Sequence, residues 1–142
     1  MKRTLMTLAL AAIVVPAAAL ACDGEKHQAS MDPKSVTVAE LASWTKEKKA
    51  TPVDANGEKT RQSEGVIPGA ILLTSSSQFD PAKELPRSKD EALVFYCANT
   101  KCGASHAAAK KAMEAGYTNV AVMPEGIMGW KKAGQATSKP NS

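Results

Sequence analysis

The feature that most constrains the fold is a short apolar run, Leu93-Val94-Phe95-Tyr96, that delivers the chain to Cys97 and is followed by a polar stretch and an alanine-rich segment from Ala104. Four consecutive bulky apolar residues fit a strand buried on both faces. The segment after it predicts a helix from Ala104 through Glu114, stopped by Gly116 in the position where helices commonly end in left-handed glycine. A fully buried strand that feeds a helix directly is the unit of a parallel sheet.

The same alternation runs along residues 35–134. Thr37-Val38-Ala39-Glu40 is a capping box, in which a hydroxyl serves the first free amides and a carboxylate reaches back. It predicts a helix through Leu41 and Trp44 to Lys49, with Val38, Leu41 and Trp44 inward. Strands are predicted at Thr51–Asp54, Ile71–Leu73 and Asn119–Met123, a turn at Ile67–Ala70, a helical turn at residues 79–85 and a last helix at Ile127–Lys132. Strands alternating with helices imply an α/β fold with a mainly parallel central sheet and helices on both faces. Ligands in such sheets bind beyond the carboxyl ends of the strands, which is where Cys97 falls.

Outside this block the chain is different. Lys2 and Arg3 precede an almost wholly apolar run from Leu5 to Leu20, and Ala19-Leu20-Ala21 is a small-x-small cleavage signal. Residues 1–21 therefore read as a secretory signal peptide; an uncleaved anchor is the other reading. Cleavage would leave Cys22 first, where a lipoprotein carries its lipid, although Ala19 stands where such signals usually have Leu. Membrane attachment is expected only if Cys22 is lipidated, and the exported compartment is expected to be the periplasm. Residues 22–34 and 135–142 are polar and read as a flexible leader and a flexible tail.

Charge excludes more than it identifies. The formal net charge is +4, and half of it is carried by Lys2 and Arg3. No basic stripe interleaved with aromatics marks a nucleic-acid partner. No organic cofactor motif is present.

The chemistry of the chain centres on Cys97. A free thiol titrates near pH ~8.5, and only its thiolate is nucleophilic. At a strand-to-helix junction it gains the positive end of the helix dipole and unpaired backbone amides. Such a site suits a thiolate or a bound anion equally; a buried structural cysteine is the competing reading. Cys102 is either a resolving thiol or a small packed residue, and a disulfide to Cys97 needs the two Cα atoms within about 7 Å. The Cys-x4-Cys spacing is not that of thioredoxin-like proteins. Cys97, Cys102 and His106 lack an evident fourth metal ligand, and no metal is expected. Cysteine phosphatases need an arginine where this chain has Gly103. Met113, Met123 and Met128 are expected as core fillers, and Trp130 as a core anchor.

Several blocks, in order, resemble a rhodanese-like domain: Val53-Asp54-Ala55-Asn56, Gly65-Val66-Ile67-Pro68-Gly69-Ala70, Phe95-Tyr96-Cys97, Ala115-Gly116-Tyr117-Thr118-Asn119-Val120, and Gly126-Ile127-Met128-Gly129-Trp130 followed by Ala133-Gly134. The resemblance implies a sulfurtransferase of the thiosulfate type, in which Cys97 takes a sulfane sulfur as a persulfide and passes it to a nucleophilic acceptor. It implies an active-site loop of Ala98, Asn99, Thr100, Lys101, Cys102 and Gly103 whose amides cradle that sulfur. Asp54 becomes a candidate supporting group near the ligand edge. The partners implied are a small sulfur donor, a thiol or other nucleophilic acceptor and, if Cys102 closes a disulfide, a periplasmic reductant. The chain departs from the family pattern at Asn56, where an arginine is habitual, and at Val66, Thr100 and Cys102. A non-catalytic module binding a sulfur species, a metal or a protein is the alternative function.

Overall fold

The computed structural model describes residues 32–140; the expectations for residues 1–21, for Cys22 and for most of the leader lie outside that range. The element order is β1 (Lys34–Ser35), α1 (Val38–Lys46), β2 (Thr51–Asp54), α2 (Glu58–Glu64), β3 (Ile71–Leu72), α3 (Pro81–Glu84), β4 (Leu93–Tyr96), α4 (Ala104–Glu114), β5 (Val120–Met123) and α5 (Gly126–Lys132). The five strands form one sheet in the order β1-β5-β4-β2-β3, parallel at every pairing. The α/β architecture is the one expected from the alternating pattern.

Side chains of β4 alternate between two cores. Leu93 and Phe95 face α4, with Val53, Val122 and the alanines Ala108, Ala109 and Ala112. Val94 and Tyr96 face the other layer, with Leu41, Met123, Ile127 and Trp130. All four residues of β4 are at most 1 % exposed, which is why the strand carries no polar alternation. Burial of each large side chain contributes about 1.5–3 kcal/mol. Alanines on the inner face of α4 favour helix and let its backbone lie close to the sheet.

The expected capping box of α1 is present: Thr37 N–H donates to Glu40 Oε2 at 2.8 Å, and Glu40 N–H to Thr37 Oγ1 at 3.3 Å. The helix ends at Lys46, three residues short of the expected Lys49, and Lys48 has a positive φ of 54°. Gly116 ends α4 as expected: its N–H reaches Met113 O at 2.9 Å, and Tyr117 N–H reaches Ala112 O at 3.2 Å.

Two expectations are corrected. Residues 135–140 do not form a loose tail: Val66 and Ser138 exchange both backbone hydrogen bonds at 2.9 Å, and Trp130 Nε1–H donates to Ala136 O at 2.8 Å. Val66 and Trp130 carry buried polar groups that need partners, and the returning chain supplies them. Met128 is 46 % exposed and fills no core, because residues 126–130 turn their inward face through Ile127 and Trp130.

Candidate active site

The carboxyl ends of β2 and β4 lie side by side, with Asp54 in register with Tyr96 and Ala55 N–H donating to Tyr96 O at 2.9 Å. From β2 the chain moves outward to β3, and from β4 it moves the opposite way to β5. Ligands bind parallel sheets at that kind of reversal. Cys97 is the first residue beyond β4 and is 1 % exposed.

Alternation aims Cys97 toward α4, the same side as Phe95. Its sulfur lies 3.3 Å from Ser105 Oγ, in the first turn of α4, and 3.1 Å from the Cys102 carbonyl oxygen. Ser105 is also 1 % exposed, so its hydroxyl meets the sulfur out of water. Gly103 precedes α4 without any side-chain cap. The positive end of an eleven-residue helix thus faces the sulfur uncapped. Ser105 is a candidate site residue that sequence reasoning missed; its position in the first turn of the predicted helix was the available signal.

Residues 98–103 wrap outward from the sulfur. Ala98, Asn99 and Cys102 are half-buried, while Thr100, Lys101 and Gly103 are exposed. Two of the amides expected in the cradle are already used: Cys102 N–H donates to Asn99 O, and Lys101 N–H to Asn99 Oδ1, both at 3.0 Å. Among the described residues, the N–H groups of Ala98, Asn99, Thr100 and Gly103 make no hydrogen bond within the protein. Cys97 and Cys102 are joined as a disulfide with their Cα atoms 6.3 Å apart, inside the separation such a bond needs.

The loop is clamped from behind by α5. Ile127 N–H donates to Cys97 O at 2.8 Å and Met128 N–H to Ala98 O at 3.0 Å. Gly126 makes this approach possible. It has φ +61°, and a Cβ on it would fall 2.5 Å from Cys97 O.

Asp54 supports the site from the opposite face. It is fully buried; Oδ1 accepts Asn56 N–H at 2.6 Å, and Oδ2 accepts the Tyr96 hydroxyl at 2.7 Å. The Tyr96 hydroxyl oxygen in turn accepts Ile67 N–H at 3.0 Å. Burial, reinforced by the Asp54 carboxylate, pushes the Tyr96 phenol far above its ordinary value, so it stays a neutral donor. Arg61 completes the network. Its Nε stands 3.4 Å from Asp54 Oδ1, an attraction of charge rather than a hydrogen bond, and NH2 donates to Asp54 O at 3.0 Å and Leu73 O at 2.8 Å. A guanidinium therefore reaches Asp54 from α2, on a residue the sequence analysis did not single out.

His106 lies on α4 close enough to Asp32 to help Lys110 hold that carboxyl below its ordinary value. Among the described residues no three His, Cys, Asp or Glu side chains converge as metal ligands.

Fold and site together define an α/β domain with a cysteine on a loop between a buried strand and a helix. The family model of the rhodanese-like domain matches residues 37–133, and the chain belongs to that family. No curated protein matches the sequence. Among solved structures, a human single-domain sulfurtransferase is 26 % identical, with a TM-score of 0.55 over 69 % of this chain and 95 % of that one. A rhodanese-like domain from Anabaena sp. shares the fold at 20 % identity and a TM-score of 0.62, over 77 % of this chain and 80 % of that one. A thiosulfate sulfurtransferase from Pseudomonas aeruginosa does so at 22 % identity and 0.65, over 78 % of this chain but 21 % of its own length.

Proposed function

We propose that this chain is a sulfurtransferase that carries sulfane sulfur as a persulfide on Cys97 and is held inactive while Cys97 is bonded to Cys102. The observation that carries the reading is the setting of Cys97: a buried sulfur beside Ser105 Oγ at the uncapped amino end of α4, on a loop with unpaired amides. The helix amino end and the Ser105 hydroxyl favour the thiolate over the thiol, against the cost of burying its charge. Family membership supports the same chemistry.

The reaction divides into two transfers. The Cys97 thiolate attacks the outer sulfur of a donor such as thiosulfate, the S–S bond of the donor breaks, and sulfite leaves with the bonding pair. A nucleophilic acceptor then attacks the outer sulfur of the persulfide, and the Cys97 thiolate is regenerated. The four free amides would hold the anionic sulfur during its residence.

The chain is further proposed to act after export, with the signal peptide removed after Ala21, in a compartment oxidising enough to close the disulfide and served by a reductant that opens it. Among the described residues no helix is long and apolar enough to cross a membrane.

The test is thiocyanate formation from cyanide with thiosulfate or the methanethiosulfonate anion as donor. The dithiol-reduced protein is expected to turn over, the oxidised protein to be silent until reduced, and Cys97→Ser to be inactive in both states. Full activity in Cys97→Ser would remove the proposal.

A further inference from the structure

Transfer through Cys97 requires one thiol, yet the loop presents two. Their Cα atoms are 6.3 Å apart and their sulfurs are bonded, so Cys102 Sγ reaches Cys97 Sγ itself. When Cys97 carries a persulfide, that atom becomes the inner of two sulfurs. Cys97 is 1 % exposed, and Cys102 is half-buried at the loop rim. A thiol arriving from solvent meets the outer sulfur first. Among the described residues, Cys102 is the thiol built into reach of the inner one.

We propose that Cys102 attacks the inner sulfur of the Cys97 persulfide and expels hydrosulfide, so that the domain reduces sulfane sulfur to sulfide. The inference rests on the persulfide reading above and adds a product to it. The Cys102 thiol gives its proton to the persulfide anion. Its sulfur forms a bond to Cys97 Sγ, the persulfide S–S bond breaks, and HS⁻ leaves with the bonding pair. Two thiols become one disulfide, a two-electron oxidation, and the sulfane sulfur gains those two electrons. The disulfide so formed is the state found in the structure.

Leaving-group strength favours this direction, because hydrosulfide is a weaker base than an alkyl thiolate and departs faster. Proximity favours it too, since a thiol held on the same loop competes at high effective concentration with acceptors from solution. Each cycle ends in a disulfide, so continued turnover needs a dithiol reductant to reopen it. Without one, the domain delivers a single sulfide and stops.

The experiment uses fully reduced protein, freed of reductant under anaerobic conditions and given one equivalent of methanethiosulfonate. Sulfinate, sulfide and intact mass are then followed. Wild type is expected to release sulfinate and about one sulfide per chain, and to lose the mass of two hydrogens as the disulfide closes. Cys102→Ser and Cys102→Ala are expected to release sulfinate, retain one added sulfur and yield at least about tenfold less sulfide. Wild type that releases sulfinate but keeps the added sulfur overturns the inference and leaves the sulfurtransferase reading standing. Sulfide release that persists in both Cys102 variants overturns it equally. If neither wild type nor the variants release sulfinate or gain sulfur, the persulfide reading fails and takes the inference with it.

Discussion

Gly126→Ala isolates the contact that holds Cys97 in place. Gly126 sits at φ +61°, and a Cβ there would lie 2.5 Å from Cys97 O and 2.6 Å from both the carbonyl carbon and oxygen of Ala98. Left-handed backbone costs an alanine about 1–2 kcal/mol. Forcing a methyl against packed backbone adds about 1–3 kcal/mol. The two together give roughly 2–5 kcal/mol, a large part of the stability of a domain this size. Gly69→Ala is the control, because Gly69 has φ +79° and nothing within 4 Å of its added Cβ. It should lose only the backbone part, about 1–2 kcal/mol. Urea unfolding of both variants, with unchanged m-values, measures the difference. The clash also pushes on the carbonyls that Ile127 and Met128 hold, so the folded fraction of Gly126→Ala should transfer sulfur at least about tenfold more slowly. A Gly126→Ala protein as stable as Gly69→Ala and fully active would refute the clamp.

Three further outcomes follow from the same geometry. Tyr96→Phe leaves Asp54 Oδ2 and Ile67 N–H unpaired and should cost about 1–3 kcal/mol at neutral pH, read by urea unfolding. The native phenol holds its proton above the ordinary value of 10.0, while the unfolded chain releases it there. Stability from this group is thus complete below about pH 10 and should fall by about 1.4 kcal/mol per pH unit above it. Tyr96→Phe should lack that component, and parallel alkaline slopes in the two proteins would contradict the assignment. Arg61→Met strands a buried carboxylate and two carbonyls, and should cost about 3–5 kcal/mol by the same assay. Ser105→Ala removes the buried hydroxyl beside the sulfur and should raise the pH at which the reduced Cys97 thiol is alkylated, with stability changed by no more than about 1.5 kcal/mol.

What the sequence disclosed tracks where apolar patterning and short-range chemistry were strong. β4 and α4 were legible to the residue, one from an unbroken apolar run and the other from alanines closed by Gly116. The capping box placed the start of α1. In contrast α2, Glu-Lys-Thr-Arg-Gln-Ser-Glu, contains no apolar residue, and its one buried side chain is Arg61. A hydrophobic period cannot report a helix whose inward face is a guanidinium. That gap hid the partner of Asp54. β1 spans two exposed residues and was invisible for the same reason. Within the site, Cys97 and the loop followed from the junction and the family resemblance. Ser105 and the Gly126 clamp did not, since both depend on elements distant in sequence from Cys97 or on a helix turn that only packing orients. The return of residues 135–140 to Val66 rests on backbone hydrogen bonds, which leave no mark on composition.

The central claim is that Cys97 itself carries transferable sulfur, and the most direct test is to find that sulfur. In the Cys102→Ser background, where the internal attack is blocked, the reduced protein would be given the methanethiosulfonate anion, capped with an alkylating agent and mapped by peptide mass. The account expects one added sulfur on the peptide containing Cys97, removable by cyanide as thiocyanate, and none when Cys97 is also changed to serine. Sulfur found elsewhere, or taken up equally well without Cys97, would contradict it.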